Sequence, residues 1–428
     1  VASAIDAPVE GIEFCFDPGG WLDAITLKVE SFTGRGNSAK VPGSSLKSNE
    51  PSRRMAQAQH TSLTVMTSLM PTELEIRVAG VVSLFRANVD VRRLFIDEIS
   101  AVPNWERALK RLVDRGQLRN VLVITTGSKA TDIRRGSERL PGRQGKLART
   151  DFLFTGVSYK DFHAQFRMEL GDDTWKAYLL SGASPIAAME IRQRERVPEY
   201  FFEIIRDWII GEIVKSGPSR QFLLALMRTL FAQGGSRTGY LKLARESGLA
   251  NNTLAAEYVE QLSDLLAVIP SYQWDADKDV PLQRRPAKFH FVNLSVALSF
   301  SQNRMTQISD FDALESQERA KWIEWLVAQE LFRRQCIAGV EDPEAIWYWA
   351  SKEHGIDFVD AGRNLYEVKI RSVRSVGLPL VCEVPSEAQG ARHWERRVSI
   401  CRCQRNHDRA ILARRRVPTS LPRPSGQS

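Results

Sequence analysis

The sequence is most easily narrowed by what it has little of. Five Cys in 428 residues, an odd and sparse set, cannot frame a disulfide-stapled fold, and that usage fits a reducing, cytoplasmic location. No apolar run approaches the ~20 residues that a membrane helix needs. The most apolar stretch, 200–214, is interrupted by Glu203, Arg206, Asp207 and Glu212, so no membrane partner is expected. The opening residues lack a basic segment followed by an apolar core, and a signal peptide is not expected. Internal repeats are also lacking. What remains is ordinary globular composition, 43% apolar and 26% charged, which excludes wholesale disorder. The length predicts roughly two to four domains.

The net charge of +8 is local. Residues 391–428 hold ten Arg against Glu395 and Asp408, so the rest of the chain is balanced. The basic character is a tail, not a DNA-binding face spread over the body. Arg414 to Arg416 can hold phosphate without sequence preference, but a solvated tail accounts for them as well. Residues 31–60 are rich in Ser, Gly, Asn, Gln and Arg and carry no apolar period, which reads as loop. From residue 71 the patterns sharpen. Leu94-Phe95-Ile96 is a short buried strand ending in Asp97-Glu98. Helical spacing follows over 105–113, and a second apolar strand over 121–125. Strand, helix and strand with short loops predict an α/β core. Residues 160–233 read as helical, 236–300 as a helix-turn-helix module, 310–335 as an amphipathic helix, and 346–370 as a pair of strands.

An apolar strand ending in two acids is a Walker B pattern. It carries Asp97 to the sheet edge to hold Mg²⁺ and Glu98 to orient or activate the attacking water. The next strand ends in Thr125-Thr126-Gly127-Ser128, where Ser128, or Thr126, can serve as a polar sensor of phosphate. Arg143 follows a turn and is placed to complete a neighbouring subunit's site. The segments LFIDEISAVPNWERALKRLVDRG (94–116), TTGSKATDIRRGSERLPGR (125–143), FTGVSYKDF (154–162) and YLLSGASP (178–185) resemble the bacterial and archaeal AAA-type P-loop ATPases that carry a C-terminal winged helix and a restriction-endonuclease-like domain. The resemblance covers roughly residues 75–375. It implies ATP and Mg²⁺ as cofactors, Ser128 as sensor, and Arg143 as a finger acting in trans within a homo-oligomer.

One departure concerns the phosphate loop, which in this family reads G-x-x-x-x-G-K-[ST] and cradles phosphate on backbone N–H groups. The nearest stretch is 34–41, Gly34-Arg35-Gly36-Asn37-Ser38-Ala39-Lys40-Val41. Ala39 replaces the second Gly, and its Cβ hinders a positive φ. Val41 replaces the hydroxyl that would bind the metal. A short strand over 25–29 precedes it. Gly34 and Lys40 are thus the candidate phosphate ligands of a degenerate loop. A damaged N-terminal segment is the alternative, and a frameshifted gene would account for both 31–70 and the tail.

Residues 241–249 have helical spacing and stop at Gly248, a good C-cap; Asn251, Asn252 and Thr253 start a second helix. This helix-turn-helix resembles the family's winged helix. Its second helix is acidic (Glu257, Glu260, Asp264), which suits a protein contact better than phosphate. Lys278, Arg284, Arg285 and Lys288 could form a wing against a phosphate backbone. Further on, Glu367-Val368-Lys369 puts Glu367 and Lys369 on one face of a strand, with Asp357 ending the strand before it. This resembles the Asp…Glu-x-Lys centre of restriction-endonuclease-like folds. The resemblance adds a helical acid, Glu324, with Glu330 in reserve; Gly355 departs from the family's usual Glu. Glu324, Asp357 and Glu367 would hold Mg²⁺, and Lys369 would position water. Cys401, Cys403, His407 and His393 lack the spacing of a zinc site. Trp322, Trp325, Trp347 and Trp349 read as core.

The expected fold class is α/β: a AAA-type P-loop three-layer domain, a helical lid, a winged helix and a C-terminal restriction-endonuclease-like α/β domain. The boundaries are 1–70 for the poorly patterned segment with the degenerate P-loop, 71–160 for the ATPase core, 161–235 for the lid, 236–300 for the winged helix, 301–385 for the nuclease-like domain and 386–428 for the tail. The expected function is ATP binding and hydrolysis on or near nucleic acid. The alternatives are an inactive interaction protein whose P-loop is lost, and a metal-dependent DNA nuclease independent of ATP.

Overall fold

The structure is a computed structural model. It describes residues 70–85, 91–127, 140, 142, 149–215, 217–340, 342–352 and 355–370, and by backbone alone residues 2–5, 13–14, 27–28, 58–64 and 379–384; Val91, Lys369 and Ile370 are likewise described by backbone alone.

The first sheet holds the short, β-branched runs. In chain order its strands are β1 (Ala2–Ile5), β4 (Ala58–Thr64), β5 (Val91–Asp97), β6 (Val121–Thr126) and β7 (Asp151–Phe152), arranged β4-β5-β6-β1-β7. β4, β5 and β6 run parallel, with Leu94 beside Thr61 and Val123. The apolar residues of β6 are buried throughout, as a parallel strand covered on both faces requires. β1 runs antiparallel to β6, and β7 antiparallel to β1, so β7 points the same way as β4, β5 and β6. Among the described residues, β2 (Glu13–Phe14) and β3 (Leu27–Lys28) pair with each other alone. The strand expected over 25–29 thus lies in a two-stranded ribbon outside the parallel sheet.

Two helices cover this sheet. α1 (Pro71–Ser83) starts at a Pro whose missing N–H costs nothing in the first turn, and the Met70 N–H donates to Glu73 Oε2 at 2.8 Å. α2 (Trp105–Asp114) buries Trp105, Ala108, Leu109 and Leu112, the spacing expected of an amphipathic helix. Leu74 and Val78 of α1 share a core with these residues and with Leu94, Ile96, Val121 and Val123. Glu75, buried between the helices, accepts from Arg111 and, at 3.2 Å, from Arg115.

A run of helices follows, as expected for 160–233: α3 (Tyr159–Leu170), α4 (Thr174–Ser181), α5 (Pro185–Arg194), α6 (Glu199–Lys215) and α7 (Arg220–Ala232). Ser158 caps α3 by accepting from Asp161 N–H at 2.9 Å. α8 (Tyr240–Ser247) ends at Gly248, in the left-handed region at φ 73°, and Asn251 caps α9 (Asn252–Asp264) by accepting from Leu254 N–H at 2.8 Å. The α9 acids Glu257 and Glu260 are exposed. These helices share one core with α10 (Leu294–Phe300), α11 (Ile308–Asp312) and the front half of α12 (Ser316–Ala338). Gly182 makes the tightest junction: at φ +56°, a Cβ there would lie 2.2 Å from the Ser295 nitrogen.

β8 (Val268–Ser271) and β11 (Lys288–Phe291) form an antiparallel ribbon. Between them, β9 (Gln273–Asp275) and β10 (Val280–Leu282) leave the ribbon and extend the second sheet. Its order is β10-β9-β12-β13-β14-β15, with β12 (Trp347–Ala350), β13 (Gly355–Val359), β14 (Leu365–Ile370) and β15 (Pro379–Val384). β9 joins β12 in parallel, through Gln273 and Tyr348. The strand pattern expected to belong wholly to a winged helix is therefore shared with the C-terminal sheet. The pair of strands expected over 346–370 is three strands. The helix expected over 310–335 is α12, which buries Lys321, Gln329, Arg333 and Gln335 along with its apolar residues, so it is central rather than one-sided. Among the described residues, no helix is long and apolar enough to cross a membrane.

The chain on either side of β7 meets α12 and its core: Leu153 packs against the cluster of Phe332 and Phe358, and a guanidinium holds the helix end. Arg149, next to β7, donates to Ile337 O at 3.0 Å and Cys336 O at 2.6 Å at the C-terminal end of α12, while its Nε donates to Asp151 O at 2.9 Å. A guanidinium is well suited to unpaired helix-terminal carbonyls.

Candidate functional sites

Asp97 and Glu98 stand at the C-terminal edge of the parallel strands, where open α/β sheets place their ligand sites. The chain turns sharply after β5: Glu98 is left-handed, at φ 54° and ψ 40°, a strained conformation for a residue with a Cβ. Ile96 pairs with Thr125 across β5 and β6, which brings Thr126 level with Asp97. The Thr126 hydroxyl donates to Asp97 Oδ1 and accepts from Glu98 N–H at 3.2 Å. One hydroxyl thus fixes both acids. Both carboxylates are exposed to solvent. Partial burial, then the negative charge of Asp97, push the Glu98 carboxyl above the usual carboxylate range. Of the two sensor candidates, Thr126 meets the acids; Ser128 lies outside the described residues, as do Arg143, Gly34 and Lys40.

A second constellation forms where β11, α12 and β13 meet. Glu324 on α12 and Asp357 on β13 both meet the ammonium of Lys288 from β11. Lys288 Nζ lies 2.9 Å from Glu324 Oε1 and 3.1 Å from Asp357 Oδ1. Lys288 is buried, which corrects its reading as a wing residue facing phosphate. Burial opposes its charge, but the two carboxylates outweigh that and hold its pKa above the ordinary lysine value. Burial pushes the Glu324 carboxyl up, against the pull of Lys288. The ladder between β13 and β14 runs through Val359–Leu365 and Phe358–Tyr366. At Asp357 the side chain takes over, its Oδ2 accepting from Val368 N–H at 3.0 Å.

The remaining members of the expected metal set are Glu367 and Lys369, with Glu330 in reserve; of Lys369 only the backbone is described. Glu330 accepts from the buried Tyr178 hydroxyl and, at 3.1 Å, from both Nε and Nη2 of Arg333. Glu367 sits on β14 opposite Cys382, and Lys369 opposite Leu380. Among the described residues, no three His, Cys, Asp or Glu side chains gather as a metal-holding group. Trp322 and Trp325 are fully buried, as expected of core. Cys401, Cys403, His407 and His393 lie outside the described residues. Sequence reasoning missed His290, two residues along β11 from Lys288. It is fully buried against Phe358, ring centroids 5.0 Å apart, and among the described residues neither nitrogen has a hydrogen-bond partner. Burial, reinforced by the Lys288 charge, holds its imidazole well below the ordinary histidine value.

The parallel sheet with paired acids at its edge is the architecture of a nucleotide-handling α/β domain. Residues 53–162 match the family described as an AAA domain, which supports a nucleotide-binding, ATPase-like role for this part of the chain. No curated protein and no solved structure gave a match.

Proposed function

We propose that the chain is an AAA-type ATPase that binds ATP with Mg²⁺ at the edge formed by β5 and β6. The observation that carries this reading is the hydroxyl of Thr126 holding Asp97 and Glu98 together at the ends of two parallel strands, inside the stretch that matches an AAA domain. The residues present fit the metal half of such a site: an exposed Asp carboxylate beside a neutral hydroxyl, at the strand ends. Asp97 would hold the ion, which neutralises phosphate charge when bound. Glu98 is a carboxylate that can take a proton from water, and its raised pKa brings it nearer the operating pH that suits a general base. Thr126 orients both.

The phosphate half rests on Lys40 and Gly34, with Ser128 as a further sensor and Arg143 as a finger from a neighbouring copy. A second reading, an interaction protein without turnover, is favoured by Ala39 and Val41 in the phosphate loop and by the place of β3 outside the parallel sheet. The helices and ribbon over 236–300 act as a winged helix in either reading. Its acidic α9 suits a protein partner better than nucleic acid.

Binding of Mg²⁺-ATP to the full chain separates the two readings, measured beside Asp97→Asn and Lys40→Ala. The ATPase reading expects saturable binding that both substitutions weaken. Absence of binding at millimolar nucleotide would leave the interaction reading in its place.

A further inference from the structure

Two carboxylates from different elements, converging at the splayed end of a strand pair, form a donor set suited to a hard divalent ion, which binds carboxylate oxygens at about 2.0–2.6 Å. At Glu324 and Asp357 the cation is already there, and it belongs to the chain. The Lys288 ammonium takes one oxygen from each carboxylate, at 2.9 and 3.1 Å. The second oxygen of Asp357 is committed to Val368 N–H at 3.0 Å. The second oxygen of Glu324 faces Gly235, where a Cβ would come within 3.1 Å of it. The Lys288 side chain is only 9% exposed, so its charge is compensated by these two partners rather than by water.

A divalent ion and this ammonium cannot share the place. Both need the same oxygens, and like charges so close together in a buried site repel with little screening. The pattern that resembles a metal-dependent nuclease therefore does not fit a metal here.

We propose that Lys288 is a built-in substitute for a divalent metal ion: its ammonium fills the cation position of the Glu324–Asp357 pair, closes that position to Mg²⁺ and Mn²⁺, and ties the β8–β11 ribbon to the C-terminal sheet. The C-terminal α/β unit is then a structural or docking module, not a metal-dependent phosphodiesterase. This inference is independent of the nucleotide site.

The test is Mn²⁺ binding to the full chain without nucleotide, read by loss of the free-ion paramagnetic resonance signal. The parent for every comparison carries Asp97→Asn, which removes the metal ligand of the other site. The parent is expected to hold no Mn²⁺ that Asp357→Asn abolishes. Adding Lys288→Met is expected to open one site per chain, binding about tenfold or more tighter than the parent, with a melting temperature that climbs as Mn²⁺ is added. Adding Asp357→Asn to that variant should remove both effects. A parent that already binds one Mn²⁺ and loses it with Asp357→Asn overturns the proposal. So does a folded Lys288→Met variant that gains no Mn²⁺ site. If Lys288→Met folds only in the presence of Mn²⁺, the ion has replaced the ammonium and the proposal stands. If it folds under neither condition, the titration of the parent decides.

Discussion

Thr126 spends a single hydroxyl on both members of the Asp97–Glu98 pair, and this sets what each substitution should do. Glu98→Gln keeps the shape and the backbone contact while removing the base, so ATP binding should persist and hydrolysis should fall about 10²–10⁴-fold, measured by phosphate release under saturating nucleotide. Lys288 gives the opposite kind of test. Lys288→Ala leaves two half-buried carboxylates facing each other without their cation and should cost about 1.5–3 kcal/mol, read from urea unfolding at neutral pH. His290 adds a pH dependence whose sign is fixed by its lowered pKa. The unfolded imidazole takes a proton below about pH 6.5, whereas the folded one does not until well below that. The unfolded state therefore binds more protons in this window, and stability falls as pH drops through it, by about 1.4 kcal/mol at pH 5.5. Unfolding at pH 7.5 and 5.5 should differ by that much more in the wild type than in His290→Leu.

At the scale of elements, junctions matter more than lengths. Gly182 ends α4 in the left-handed region and packs directly on the backbone of Ser295 in α10. Gly182→Ala should therefore lower the melting temperature by several degrees, whereas Gly248→Ala, also left-handed but with only Phe222 at an ordinary 3.9 Å from a Cβ, should carry the backbone penalty alone and fall less; thermal unfolding of the two variants compares them. This scale also separates what the sequence makes legible from what it hides. β5, α2 and β6 are readable because a buried strand and a one-sided helix each impose a period, and Gly248 and Asn251 mark the α8–α9 turn by their own backbone and side-chain preferences. The convergence of Glu324 and Asp357 follows from family resemblance. The arrival of Lys288 between them has no local signal: 36 residues separate it from Glu324 and 69 from Asp357, and a Lys in a strand carries no mark of burial. Nor could alternation show that β9 and β10 desert their own ribbon for the second sheet, since three-residue strands have too few positions to declare a partner. Thr126 was one of two sensor candidates because a strand end can slip by a residue or two until its neighbour fixes the register.

The whole molecule is organised around α12. Its front half lies in the core of the helical region, its rear half under the C-terminal sheet, and its last carbonyls are held by Arg149 beside the first sheet. Arg149→Ala frees those carbonyls and should cost about 1.5–3 kcal/mol. Thermal unfolding of Arg149→Ala beside the wild type should show the lower midpoint, because the substitution cuts a tie between the chain before β7 and α12. A packed helix neither stretches nor bends cheaply. The distance along it from the Arg149 grip to Glu324 is about 20 Å. α12 is in that sense a strut gripped at two points, by a guanidinium at its C-terminal end and by an ammonium in its third turn. Both grips act on one rigid segment, so the place of the chain before β7 and the place of the Lys288 node are set by the same helix.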